Sequence, residues 1–160
     1  MSAADELVHA TCLALGGDAV LVRGVPGAGK SDLALRCIGA GPLALLPDRP
    51  CRLVSDDQVV LQRTGDTLLA SPPPSIAGLI EVRGLGLVRV PHLAAARVML
   101  VADLVPAATI ERMPEDGRVV LAGVALPLLR LAPFETSAPV KLLIALATAA
   151  GALERRDGAQ

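Results

Sequence analysis

The chain has 160 residues, 52% hydrophobic and 19% charged, with 15 Lys and Arg set against 16 Asp and Glu. That length fits a single domain spanning 1–160 with a substantial core, and the apolar content excludes a disordered chain. The near-zero net charge offers no field for nucleic acid or anionic lipid, and a single Phe with no Trp or Tyr supplies no stacking platform for a nucleic-acid strand.

In chain order, Leu7 to Leu15 and Ala19 to Arg23, separated by Gly16-Gly17-Asp18, predict two strands joined by a tight turn. The glycine-rich run Gly24 to Ser31 follows at once. Asp32 to Ile38 then has the apolar spacing of a helix, which Gly39-Ala40-Gly41-Pro42 stops. Prolines at 42, 47 and 50 predict an irregular loop. Cys51 to Val54 predicts a strand ending at Ser55-Asp56-Asp57, and Gln58 to Arg63 with Thr67 to Ala70 predicts a hairpin around Thr64-Gly65-Asp66. Within Ile76 to Arg89 the closely spaced Gly84 and Gly86 suggest a shaped backbone rather than a plain strand. Arg97 to Leu104 and Arg118 to Ala125 are further predicted strands, Pro139 to Leu153 a terminal helix, and 154–160 a polar tail. Two strong helices are too few for a doubly wound sheet with a helix after every strand. The expected fold is therefore an α/β P-loop domain with a mixed, mostly β sheet.

Cys12, Cys37 and Cys51 form no CxxC pair and leave an odd thiol, which suits reduced, buried cysteines of a cytoplasmic protein. Asp5 and Glu6 stand where a signal peptide would be basic, and Arg23, Asp103, Pro106 and Arg130 interrupt the apolar runs. None of those runs reaches the ~18–20 residues that cross a bilayer, so no membrane partner is expected.

Gly24-Val25-Pro26-Gly27-Ala28-Gly29-Lys30-Ser31 matches the phosphate-binding pattern GxxxxGK[ST] in full, between a predicted strand and a predicted helix. Glycines at 24, 27 and 29 give the backbone freedom to turn successive N–H groups inward around phosphate oxygens. The start of the following helix adds its positive end. Lys30 has the reach for the β and γ phosphates, and the Ser31 hydroxyl is placed to ligate Mg²⁺. Phosphoryl transfer also needs carboxylates, and two places compete for that task. Asp103 closes the apolar run Val98 to Ala102 in the manner of a Walker B strand, whereas Asp56-Asp57 closes Leu53-Val54-Ser55. Adjacent carboxylates repel, which favours a cation or a shared proton beside them.

These residues resemble a known family. The P-loop, the Asp-Asp after a Leu-Val strand, and above all Glu81-Val82-Arg83-Gly84-Leu85-Gly86-Leu87 are similar to the C-terminal catalytic domain of HPr kinase/phosphorylase, with its EIRGLGI-type signature. The resemblance covers about residues 7 to 150 and lacks the family's separate N-terminal domain. It implies a hexameric enzyme that phosphorylates a serine of HPr, the small carrier of the phosphotransferase system, using ATP and Mg²⁺; many members also reverse the reaction with phosphate. It implies that Asp57, oriented by Asp56, is the proton acceptor, that Ser31 and Glu81 are metal positions, and that Lys30 clamps phosphate; Asp56, as one of two adjacent carboxylates, is a further metal candidate. His9 matches a histidine that starts a strand beside the site, Arg112 a later catalytic arginine, and Arg83 stands where it could orient Glu81 or contact phosphate. His92 matches nothing and is expected to pack at the surface.

The chain departs from the family in two places. A longer Gly41 to Arg52 stretch precedes Asp56-Asp57, and a proline-valine-x-x-glycine-arginine run is replaced by Pro133 to Lys141, where Lys141 is a point charge without the arginine fork. Two other readings stay open on the residues alone. One is a generic P-loop NTPase or small-molecule kinase using Asp103; the other is a nucleotide-binding regulatory module without turnover.

Overall fold

Apolar stretches buried on both faces belong at the centre of a sheet, and the residues around Gly16-Gly17 have that character. The computed structural model describes residues 5–156. In it β1 (Glu6–His9), β2 (Thr11–Leu15) and β3 (Asp18–Arg23) are followed by helix α1 (Lys30–Gly39). Next come β4 (Cys51–Ser55), β5 (Gln58–Thr64), β6 (Thr67–Ser71), β7 (Leu79–Val82), β8 (Gly86–Arg89) and β9 (Ala96–Leu104). The chain then forms β10 (Gly117–Leu121), β11 (Val124–Leu131) and helix α2 (Ala138–Ala149).

The nine-stranded sheet runs β1-β5-β6-β9-β3-β2-β4, with the β10–β11 pair joined to β9. β3 and β11 both lie parallel to β9, while the remaining pairs are antiparallel. The expected mixed, mostly β sheet is therefore present. The fold's polarity follows from its parallel centre: β3 and β9 both end toward the glycine loop, and Arg23 is in register with Asp103.

Alternation along β3 sorts the core into two layers. Val20 and Val22 face Leu13, Leu33, Ala34, Leu142 and Leu146, so the two helices cover that side. Ala19 and Leu21 face Val54, Leu61, Leu68, Val101 and Leu126, so the outer strands of the same sheet cover the other. Each fully buried Leu contributes roughly 1.5–3 kcal/mol, and with one Phe available the aliphatics must supply the core.

Three boundaries differ from the sequence reading. The predicted strand over Leu7 to Leu15 breaks at Ala10, whose N–H turns away to the Asp57 carbonyl (3.1 Å). The predicted strand over Arg118 to Ala125 contains a tight turn at Ala122 and Gly123 (φ 47° and 80°), and its second arm continues to Leu131 beside β9. Helix α2 stops at Ala149 rather than Leu153: Gly151 takes φ 79°, and the N–H groups of Gly151 and Ala152 return to Thr148 and Ala147. That is the glycine-terminated closure that satisfies the last helical carbonyls. Of the polar tail over 154–160, residues 157–160 lie outside the described residues.

Candidate functional site

The loop from Gly24 to Gly29 joins the end of β3 to the start of α1. Gly27 and Gly29 take φ 82° and 99°, a region closed to most side chains. Gly24 is needed for a different reason. A Cβ there would lie 2.9 Å from that of Ala28 and 3.3 Å from that of Leu104, so close approach rather than dihedral freedom selects glycine. No side chain caps α1, so the N–H groups of its first turn stay available beside the loop, apart from Leu33, which bonds Gly29 (2.9 Å). The Lys30 ammonium folds over the loop and donates to the carbonyls of Gly24 (2.8 Å) and Val25 (3.3 Å). Phosphate oxygens are the natural competitors for those bonds.

The end of β4 meets this loop through Asp56. Its carboxylate is only 4% exposed and accepts from Thr11 Oγ1 (2.8 Å), Ser31 Oγ (2.8 and 3.0 Å) and the Glu81 backbone N–H (3.1 Å). Every one of these donors is neutral. The buried carboxylate is thus held by dipoles, and no ion pair among the described residues reaches it, an arrangement that favours a metal ion or other positive group at its open side. Asp57 turns outward with φ 69°, an uncommon conformation that Asp and Asn tolerate best. Its carbonyl is held by Ala10, and Gln58 N–H bonds the Asp56 carbonyl (2.8 Å), so the turn is fixed while the Asp57 side chain faces solvent.

The remaining expected residues fall into two groups. Glu81 is brought in: β7 presents its N–H to Asp56 and leaves its side chain exposed. His9 ends β1 opposite Gln58, one residue from the Ala10–Asp57 bond. The others are not drawn into the cluster by any hydrogen bond or ion pair among the described residues. Arg112 is exposed in the 110–116 connection, and Arg83 is exposed in the β7–β8 turn. Lys141 on α2 pairs with Glu135 (2.6 Å). His92 packs its ring against Gly78, where a Cβ would meet Nδ1 at 2.6 Å.

Asp103 is engaged elsewhere. Arg23 grips both its oxygens at 2.8 and 2.9 Å, and these hydrogen bonds hold the guanidinium above its ordinary pKa against the opposing effect of burial. Its charge is already balanced one residue before the glycine loop. The sequence reading missed Thr11 as a partner of Asp56 and Arg23 as the structural partner of Asp103. Thr11 is the single hydroxyl in the apolar run Leu7 to Leu15, which was the available signal, and it is fully buried.

Mg²⁺ takes hard oxygen ligands and is satisfied by one or two carboxylates together with phosphate oxygens and waters. The Ser31 hydroxyl and the uncompensated Asp56 carboxylate fit that requirement, with Glu81 adjoining. Among the described residues no three or more His, Cys, Asp or Glu side chains cluster into an all-protein cage, and Mg²⁺ does not demand one. Cys12, Cys37 and Cys51 are buried thiols; burial pushes Cys37 up to about 12, despite Arg36 nearby, and raises the other two further. They act as small apolar side chains. No described helix is long and apolar enough to cross a membrane.

Known proteins resemble this chain in sequence and in fold. HPr kinase/phosphorylase of Shouchella clausii is 39% identical over 84 residues, which are 52% of this chain and 24% of that protein. The Bacillus mycoides HPr kinase/phosphorylase is 37% identical over 105 residues, 61% of this chain and 31% of that protein. The matched stretch thus spans about a quarter to a third of these curated relatives. The solved Hpr(Ser) kinase/phosphatase from Coxiella burnetii superimposes with a TM-score of 0.74 over 92% of this chain and 97% of that one, at 23% identity, and so shares the fold. The profile of the HPr Serine kinase C-terminal domain matches residues 1–105, a span that holds the glycine loop, both Asp56 and Asp57, and Glu81, and the chain belongs to that family.

Proposed function

We propose that this domain transfers the γ-phosphoryl group of ATP, in the presence of Mg²⁺, to the serine hydroxyl of an HPr-like phosphocarrier. The observation that carries the reading is the buried Asp56 carboxylate, which ties the phosphate-loop serine to the turn that exposes Asp57. Phosphoryl transfer asks little covalent work of a protein; positioning and charge compensation dominate. The glycine loop and the first turn of α1 hold the phosphates, and Lys30 exchanges its two carbonyl partners for phosphate oxygens. Ser31 and Asp56, with Glu81 beside them, would hold Mg²⁺, which when bound would supply positive charge against the phosphates.

Asp57 acts as the general base. As the carrier serine oxygen bonds to the γ-phosphorus, the bond from that phosphorus to the β,γ-bridging oxygen breaks and ADP departs. The serine proton passes to the Asp57 carboxylate. Exposure suits this role, because a folded carrier has to bring its serine to the carboxylate from outside. The fixed backbone on both sides keeps the carboxylate on its line of approach.

The test is transfer from γ-labelled ATP with Mg²⁺ to the HPr-like protein of the same organism, beside a carrier whose acceptor serine is replaced by alanine. The reading predicts label on the first and none on the second. Intact ATP binding with no label on either carrier would overturn it.

A further inference from the structure

The single aromatic residue of the chain, Phe134, is 73% exposed. An exposed aromatic in a protein that has only one is a costly placement, and its position is informative. The ring lies against the glycine loop: a Cβ on Gly29 would sit 3.0 Å from Cε1 and Cζ. Beside it opens a cleft of about 480 Å³. One wall is the loop itself, through Val25 and Ala28; the others come from Leu104 at the end of β9, Pro106 beyond it, and Pro133 and Phe134 after β11. The cleft therefore continues directly from the phosphate cradle.

The segment that carries the ring is pinned. Arg36 on α1 donates to the Pro133 carbonyl, the Glu135 carbonyl accepts from the Ala138 N–H (3.0 Å), and the Glu135 carboxylate is held by Lys141 (2.6 Å). An aromatic face held next to a phosphate loop, across an apolar cleft, has the chemistry of a base-stacking site. The one ionised group in the lining, Glu135, is already paired with Lys141, so recognition rests on stacking and shape. Stacking grows with the area of the π face, which favours a purine over a pyrimidine.

We propose that the cleft between Val25 and Phe134 is the subsite for the purine base of the nucleoside triphosphate whose phosphates occupy the glycine loop. This rests on the nucleotide-binding part of the function proposed above. The test compares equilibrium binding of ATP, CTP and inorganic tripolyphosphate, each with Mg²⁺, to the wild-type chain, Phe134→Ala and Phe134→Tyr. Wild type should bind ATP more tightly than CTP, and CTP more tightly than tripolyphosphate. Phe134→Ala should weaken ATP on the order of tenfold while leaving tripolyphosphate unchanged to within about twofold, and Phe134→Tyr should restore ATP binding. Equal weakening of ATP and tripolyphosphate would mean that Phe134 acts through Gly29 on the loop, and would overturn the subsite. An unchanged ATP affinity in Phe134→Ala, or a wild type that does not prefer ATP to tripolyphosphate, would overturn it as well. Failure of the kinase reading shows separately: a Phe134-dependent preference for ATP with no label on the carrier keeps the subsite and removes the serine transfer.

Discussion

Two strand ends bring a carboxylate up to the glycine loop, and they are built for opposite purposes. At the end of β9, Asp103 meets Arg23 in a two-point ion pair, so its charge is spent on fixing the ends of β3 and β9 in register. At the end of β4, Asp56 is more deeply buried yet touches only neutral donors, one of them the loop's own serine. A balanced carboxylate is structural cement, whereas a buried one with no countercharge leaves an electrostatic place for a ligand. The neighbour sharpens the contrast. Asp57 stands in a left-handed conformation that costs of order 1–3 kcal/mol for most residues, a strain that sites retain when it aims a side chain.

Substitutions at the two strand ends should have unequal effects. Asp56→Asn removes the charge and sets an amide among donors; transfer should fall roughly 10- to 100-fold or more, with the Mg²⁺ requirement shifted to higher concentration, as a Mg²⁺ titration of the rate would show. Thr11→Val leaves Asp56 buried with one donor fewer and should cost about 1.5–3 kcal/mol in denaturant unfolding. Asp103→Asn should cost only about 1 kcal/mol or less, because that pair is about one-third exposed, and should leave transfer near wild type. Transfer collapsing in Asp103→Asn while Asp56→Asn stays active would invert the assignment.

The smallest effect concerns pH. Cys51 opens β4, Cys12 lies opposite Ser55 across β2 and β4, and Cys37 packs in the helix-facing core. Burial holds all three thiols neutral, with Cys37 raised from 9.0 to about 12. Because the folded pKa is the higher one, this contribution to stability is fully present below about pH 9 and is lost as pH rises from there toward 12. Alkylation by iodoacetamide at pH 8 should accordingly reach the thiols only after unfolding. Labelling of the native chain at the rate of a free thiol would contradict the burial.

Local features were the legible ones. The glycine loop, the Asp56-Asp57 turn, the hairpin around Gly65-Asp66 and the helix after Ser31 each depend on residues within a few positions of one another, and their residue types announce them. What the sequence hid depends on register between distant segments. Arg23 meets Asp103 eighty positions away because β3 and β9 run parallel, and Phe134 reaches Gly29 only because the β11–α2 connection folds back over the loop. The strand that extends to Leu131 was masked for the same reason: its place is set by pairing with β9, and a turn at Ala122-Gly123 divides the apolar run that precedes it. Gly24 was expected to supply dihedral freedom and instead supplies room.

If the β4 end does the chemistry and the β9 end does not, single-turnover transfer from Mg-ATP will separate Asp57→Asn from Asp103→Asn when both are run beside wild type. Asn suits the left-handed backbone at 57, so the fold and nucleotide affinity should survive while the rate drops about 10²- to 10⁴-fold, the span of a lost general base. Asp103→Asn should transfer at close to the wild-type rate. Full transfer by Asp57→Asn, or its loss in Asp103→Asn with the fold intact, would contradict the account.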